Sequence, residues 1–407
     1  MNELSFKSSF PRIRFNGFED MWQHIKLSDI SVKVIEKNVK NDFYIVLTNS
    51  AEFGIIPQRD FFDKDIANLK SLIGYYVVQP NDFVYNPRIS NKAPVGPIKA
   101  NFLNTTGVMS PLYYVFRTQN VNVLFLAKYF DSSYWHKFMK LNGDTGARSD
   151  RFAIKDSVFK EMPIPFPSHS EQSAIGSLFR TLDDLLASYK DNLANYQSFK
   201  ATMLSKMFPK AGQTVPEIRL DGFEGEWEIR RADDIFKSVS EKNRASLPVL
   251  SASQIDGMVL RDEIGIDIKY DEETLNNYKV VKPGQFVIHL RSFQGGFALS
   301  KLEGITSPAY TIIDFIDKEN HLPDFWNSIL TSRDFIKRLE TVTYGIRDGK
   351  SISFKDFSSL KFVFPNYKEQ QAIGSYFSNL DSLISAHQEK ISQLETLKKK
   401  LLQDLFI

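Results

Sequence analysis

At 407 residues the chain can bury more than one core, and 42% hydrophobic with 25% charged residues is ordinary for a globular protein. The formal charge of +2 decides little by itself, but a protein that grips a long duplex unaided is usually more basic, so any nucleic-acid role implies partners that share the phosphate contacts. The absence of cysteine excludes disulfides, thiolate catalysis and Cys-ligated zinc; with no run of about 18 apolar residues and no charged-then-apolar leader, a cytoplasmic location is expected.

The chain opens on Pro11-Arg12-Ile13-Arg14-Phe15-Asn16-Gly17-Phe18-Glu19 with Trp22, and this opening returns at Pro216-Glu217-Ile218-Arg219-Leu220-Asp221-Gly222-Phe223-Glu224 with Trp227, displaced by 205. Both tryptophans are expected to be packing anchors. Next, Tyr75-Tyr76-Val77-Val78 and Phe83-Val84-Tyr85, hinged at Pro80-Asn81-Asp82, read as strand, turn and strand. The same pattern recurs at Lys279-Val280-Val281, Pro283-Gly284 and Phe286-Val287-Ile288, now displaced by 203. Gly107, Ser110, Pro111 and Tyr113 return at Gly304, Ser307, Pro308 and Tyr310 with an offset of 197. Stretches near Val123 to Lys140 and Pro323 to Leu339 look helical, and a polar Gly-x-Arg loop follows each, at Gly146 and Arg148 and again at Gly345 and Arg347. The expected fold of each globular part is mixed α/β around a curved sheet. A period near 200 residues means two domain-sized copies and not a solenoid.

From Phe166-Pro167 and Phe364-Pro365 onward the offset settles at 198. Ser168 stands three residues before Glu171, and Asn366 three before Glu369, so each reads as a capped helix start. From there the stripe steps by three or four through Leu178, Leu182, Leu185, Tyr189 and Leu193 in one copy, and Tyr376, Leu380, Leu383, His387, Ile391 and Leu394 in the other. This predicts two amphipathic helices of roughly 35 to 40 residues, about 55 to 60 Å long. Such a helix needs a partner along its length, and a pseudo-twofold axis would pair the two as an antiparallel coiled coil between the globular parts.

Apparent catalytic motifs do not hold up. Gly345-Ile346-Arg347-Asp348-Gly349-Lys350-Ser351 is one residue short of a phosphate-binding loop and follows a helix-like stretch. Asn86-Pro87-Arg88 is similar to the Asn-Pro-Pro-aromatic motif of amino-methyltransferases but lacks the second proline and the aromatic, so a turn or polar contact is expected. The six histidines form no metal-ligand spacing, and none of the residues suggests a catalytic or metal role for this chain. What recurs is a set of polar and basic residues at equivalent points: Arg88, Asn91, Lys92, Arg148, Ser149 and Arg151 in the first copy, and Arg291, Gln294, Arg347 and Lys350 in the second. These side chains suit base edges and phosphates, with arginine able to contact guanine bidentately. Ordinary surface charge is the competing reading for any single one of them.

The Pro-x-Ile-Arg-Phe-x-Gly-Phe-x-x-x-Trp opening, the Tyr-x-Val-Val-x-Pro-x-x-Phe-Val block and the Ile-Pro-Phe-Pro run leading to Glu-Gln-x-x-Ile-Gly resemble the DNA specificity subunit of type I restriction-modification enzymes. The resemblance covers nearly the whole chain, including its duplicated order. It implies two target-recognition domains, residues 1–166 and 216–364, each reading half of a split double-stranded DNA site. It also implies two spacer segments, 167–215 and 365–407, whose helices set the gap. By the same resemblance the chain is not a catalyst and binds no cofactor itself. Two methyltransferase subunits would bring S-adenosylmethionine, and restriction subunits ATP and magnesium. A duplicated scaffold without DNA binding, or an enzyme component with its own activity, are the alternatives.

Overall fold

The computed structural model describes residues 10–61, 69–145, 150–253, 256–264, 272–289, 296–342 and 352–406. The chain divides into two compact units, Met1–Lys190 with Glu389–Ile407, and Asp191–Gln388. Both divisions fall inside the long helices His169–Lys206 and Tyr367–Asp404, of 38 residues each, so each unit holds one end of each helix.

The first unit is centred on a four-stranded antiparallel sheet in the order Ser31–Lys33, Tyr114–Thr118, Phe83–Tyr85, Ile98–Ala100. Short ladders flank it: Gln23–Lys26 with Pro163–Phe166, Leu47–Ser50 with Gly54–Pro57, and Tyr76–Val78 with Gly107–Met109. The second unit repeats the plan. Its sheet runs Phe236–Val239, Thr311–Phe315, Phe286–Ile288, Phe297–Leu299. Its ladders pair Glu228–Arg231 with Lys361–Phe364, Leu250–Ser253 with Gly257–Leu260, and Lys279–Val281 with Gly304–Thr306. The fold is therefore mixed helix and strand, duplicated, with two long helices. The strand, turn and strand expected around Pro80 is present, but Tyr76–Val78 and Phe83–Tyr85 pair with other strands and not with each other. Between them Asn81 takes φ 70°, a left-handed turn that asparagine tolerates, and passes the chain from one ladder to the next.

Each predicted middle helix is two helices. Val123–Asp131 ends where the Ser132 hydroxyl and amide both donate to the Tyr129 carbonyl, and His136–Asn142 follows. In the second unit Pro323–Leu330 is followed by Arg333–Val342. Aromatic packing holds these helices on the sheets: Phe83 stacks on Phe116 at 5.3 Å and meets Phe130 edge-on at 5.9 Å, while Trp326 meets Phe236 at 5.1 Å. Full burial of each such ring contributes about 1.5–3 kcal/mol.

The start of each long helix shows why its sequence is so particular. Ser168 accepts from the Glu171 amide at 3.3 Å, and Asn366 from the Glu369 amide at 3.1 Å, as caps. The Glu171 carboxylate takes Arg14 Nε at 2.6 Å, Arg14 Nη2 at 2.8 Å and Trp22 Nε1 at 3.1 Å. Glu369 takes Arg219 Nε and Nη2, both at 2.7 Å. One residue on, the Gln172 amide donates to the Pro167 carbonyl and accepts from the Asn122 amide, each at 2.9 Å, and Gln370 does the same with Pro365 and Leu322 at 2.9 and 3.1 Å. The glutamine thereby satisfies a backbone donor at the start of the next helix, which would otherwise be orphaned. Gly176 lets that helix approach: a Cβ there would lie 2.9 Å from Leu124 Cβ.

Within each unit the two long helices run antiparallel. In the first, Asp183 meets Lys398 at 2.5 Å and Lys190 meets Glu395 at 2.6 Å, so rising numbers on one helix face falling numbers on the other. In the second, Tyr196 lies edge-on to His387 at 5.1 Å and Lys200 pairs with Asp381. Of the apolar seam residues, Leu182, Leu380 and Leu394 are buried and Leu178, Leu193, Tyr376 and Ile391 half-buried, whereas Leu185 and Leu383 are 39% and 43% exposed. Leu186 is buried in place of Leu185, because a 3.6-residue turn drifts out of a strict three-and-four stepping. Among the described residues no helix is long and apolar enough to cross a membrane.

Candidate nucleic-acid interface

The sequence-predicted residues that fall within the described part of the first unit converge on one place. A cleft of about 820 Å³ is lined by Arg88, Asn91, Lys92 and Arg151, with the strand Leu47–Ser50 and Asn86 along its side. Two backbone bonds build it. Ile89 N donates to Asp150 O at 3.0 Å and Phe152 N to Pro87 O at 2.8 Å, which sets Arg88 and Arg151 directly opposite as an antiparallel bridge. Because the hydrogen bonds belong to the flanking residues, this is the closer kind of cross-strand pair, with side chains on the same face.

Two like charges directly opposite destabilise a ladder. Arg88 and Arg151 are both exposed, and neither guanidinium has an ion-pair partner among the described residues. An anion between them would relieve the repulsion. Lys92 is held by Glu52 at 2.8 Å across the mouth of the cleft. The charged groups described along the cleft are thus three strong cations and one carboxylate already engaged, a set suited to holding a polyanion.

The Asn86 amide is spent inside the domain: Nδ2 donates to Asn49 O at 2.9 Å and Oδ1 accepts from Arg88 N at 3.0 Å. It therefore aims the arginine. Gly96 permits this segment's path, with φ 82° and a position where a Cβ would lie 2.1 Å from the Asn86 carbonyl oxygen. A second cleft of about 960 Å³ shares Pro87, Leu112 and Tyr113 with the first and is faced by Tyr85 and Tyr114. Burial, with Asp156 adding to it, pushes the Tyr114 phenol up to about 12, and burial raises Tyr85 as well. Neither phenol offers a base near neutrality. Among the described residues no group of three or more His, Cys, Asp or Glu could hold a metal ion.

Arg148, Ser149, Arg291, Gln294, Arg347 and Lys350 lie outside the described residues, as does the phosphate-loop-like run from Gly345 to Ser351. Sequence reasoning missed Glu52, which tethers Lys92, because no spacing links a hairpin turn to a loop 40 residues away. It also missed Gln172, Gln370 and the Glu171 and Glu369 pockets as physical devices, although all four stood in a quoted motif.

Comparison with known proteins agrees with this architecture. Residues 224–396 match the family model for the type I restriction modification DNA specificity domain. By this match and by its curated relatives the chain is similar to the specificity subunits of type I restriction-modification systems. Among curated relatives, the type I restriction enzyme MjaVIII specificity subunit of Methanocaldococcus jannaschii is 23% identical over 268 residues, 61% of this chain and 62% of that protein. The putative MjaX specificity subunit of the same organism is 21% identical over 272 residues, 61% of this chain and 60% of that protein. The matched region thus spans about three fifths of those relatives. Among solved structures, the S subunit from M. genitalium has the same fold, with a TM-score of 0.58 and 14% identity over 98% of this chain and 99% of that one. A chain from structural work on complex assembly and conformational transition of the type I R-M system matches with a TM-score of 0.50 and 14% identity, over 96% of this chain and 99% of that one.

Proposed function

We propose that this chain is the non-catalytic, DNA-reading subunit of a cytoplasmic type I restriction-modification complex. Residues 1–166 read one half of a bipartite duplex site and residues 216–364 the other. The observation that carries this reading is the convergence of Arg88, Asn91, Lys92 and Arg151 on one cleft in which two opposed guanidiniums lack a counter-charge among the described residues. Phosphates supply that charge, releasing condensed counterions as they do, and an arginine or asparagine that reaches a major-groove edge adds the sequence discrimination. Arg148 and Ser149 serve the first half-site as well, and Arg291, Gln294, Arg347 and Lys350 serve the second.

The two long helices pair antiparallel along their length and act as the spacer, with 167–215 and 365–407 as the segments that set the gap. The antiparallel packing inside each unit supports this. Reading both half-sites from one face of the duplex requires their centres about one helical turn, roughly 34 Å, apart. Two methyltransferase subunits dock on this frame and carry S-adenosylmethionine chemistry, and restriction subunits use ATP and magnesium. The test is to exchange residues 11–166 for the corresponding domain of another family member and map methylated bases in cells carrying the methyltransferase subunit. One half of the methylated motif should change. A change in both halves, or in neither, would refute the modular reading.

A further inference from the structure

The hairpin beside the cleft carries a feature that phosphate and base-edge contacts leave unused. Between Leu47–Ser50 and Gly54–Pro57 the Ser50 hydroxyl accepts from the Glu52 and Phe53 amides, each at 3.2 Å, and Gly54 closes the turn at φ 71°. Ser50, Ala51 and Glu52 line the cleft, and the Glu52 bond to Lys92 ties the tip across its mouth. On this fixed tip Phe53 is 62% exposed. Its ring meets Phe61 edge-on at 6.2 Å with 66° between planes; Phe61 lines the cleft and is 44% exposed. Leu112, also on the cleft lining, is 61% exposed.

Apolar residues scattered singly over a surface need no explanation, but a group of them bordering a cationic cleft does. Among the described residues the second copy lacks the group. Its matching hairpin, which turns at Gly257 with φ 74°, has Asp256 where Phe53 stands, and Ser307-Pro308-Ala309 replaces Ser110-Pro111-Leu112. Cations that hold a backbone beside an aromatic face that takes a base are the two parts of a stacking platform, and apolar wedges between base steps kink a duplex.

We propose that Phe53, supported by Phe61, stacks on a nucleobase of the half-site read by the first domain and distorts the duplex there, while the second domain reads its half-site without such a wedge. This rests on the DNA-reading function proposed above. The chain suits a direct test, since its four tryptophans, Trp22, Trp135, Trp227 and Trp326, are no more than 3% exposed. Phe53→Trp then places a single exposed indole at the tip. The full chain, assembled with its methyltransferase subunits, is titrated with a duplex bearing the methylated motif mapped from cellular DNA. Retention of that duplex by the unsubstituted chain is measured first.

Stacking predicts that the emission added by Phe53→Trp, taken as the difference from the unsubstituted assembly, falls by about half or more on binding. It also predicts that Phe53→Ala binds the motif duplex about tenfold more weakly with an unchanged salt dependence. If the unsubstituted chain retains the duplex but the new indole is unquenched, or Phe53→Ala binds as tightly, the wedge is overturned and the DNA-reading function stands. If the unsubstituted chain does not retain the duplex, both fall together.

Discussion

The carboxylate at the head of each long helix allows the two copies to be weighed against each other. Glu171→Ala removes a side chain that is 1% exposed and leaves the Arg14 guanidinium, 14% exposed, without its bidentate partner. Breaking a buried ion pair from one side costs about 3–5 kcal/mol. The Trp22 indole loses its acceptor in the same step, and a neutral hydrogen bond is worth about 1 kcal/mol of that total. Glu369 has the same fork to Arg219 but no indole bond, for Trp227 Nε1 is buried without a partner among the described residues. Glu369→Ala should therefore cost about 1 kcal/mol less than Glu171→Ala. For a unit of this size each kcal/mol lowers the melting temperature by about 2–4 °C, so the first substitution should lower it by about 6–20 °C. Hydrogen exchange at Gln23–Lys26 and at Glu228–Arg231, followed through a thermal ramp, reports each unit separately. Shifts below about 2 °C for both variants, or a larger loss from Glu369→Ala, would refute the ranking.

Other perturbations follow from the same structure. Gly176→Ala sets a gain in helix propensity of about 1 kcal/mol against overpacking of about 1–3 kcal/mol, since its Cβ would lie 2.9 Å from Leu124 Cβ and 3.0 Å from Asn122 Oδ1. Gly374→Ala should be milder in urea unfolding, because its nearest contact, 2.9 Å away, is the end of the flexible Leu322 side chain. Burial, with Lys140 adding to it, lowers His136 from 6.5 to about 4. The unfolded chain then binds this proton first, so the first unit should lose stability as pH falls from about 6.5 toward 4, and His136→Gln should flatten that part of the melting profile. Arg88→Ala with Arg151→Ala should reduce the slope of log affinity against log salt by roughly 2, one per lost phosphate contact, with the second half-site's preference unchanged.

The closing helices were legible because three independent signals coincide there: a capping residue, a carboxylate three positions on, and a long run of apolar steps. The inner seam was less so. Stepping by three or four cannot say whether Leu185 or its neighbour Leu186 turns inward, and packing in the folded unit chose Leu186. Strand positions could be read around Pro80, yet strand partners could not, because pairing depends on segments such as Gly107–Met109 and Ile98–Ala100 whose link to Tyr76–Val78 and Phe83–Tyr85 is tertiary. For the interface, recurrence in two copies singled out Arg88 and Arg151 as residue types. Their opposition across a single bridge came from the backbone bonds of Ile89 and Phe152, which leave no mark on composition or spacing.

The first unit's core includes Leu394, Leu405 and Phe406, with Phe406 stacked on Phe179 at 6.2 Å. Those residues leave the ribosome about 200 positions after the rest of that core, a delay of roughly 10–40 s at ordinary elongation rates. Until then the first domain lacks a wall and exposes Phe125, Phe179 and Tyr129 where Phe406 will sit. The second unit takes its matching contribution, Met207 and Phe208, from chain already made. Translation order therefore makes the second unit the first able to close its core. A chain released early would carry a first domain that stays open to chaperones and proteases.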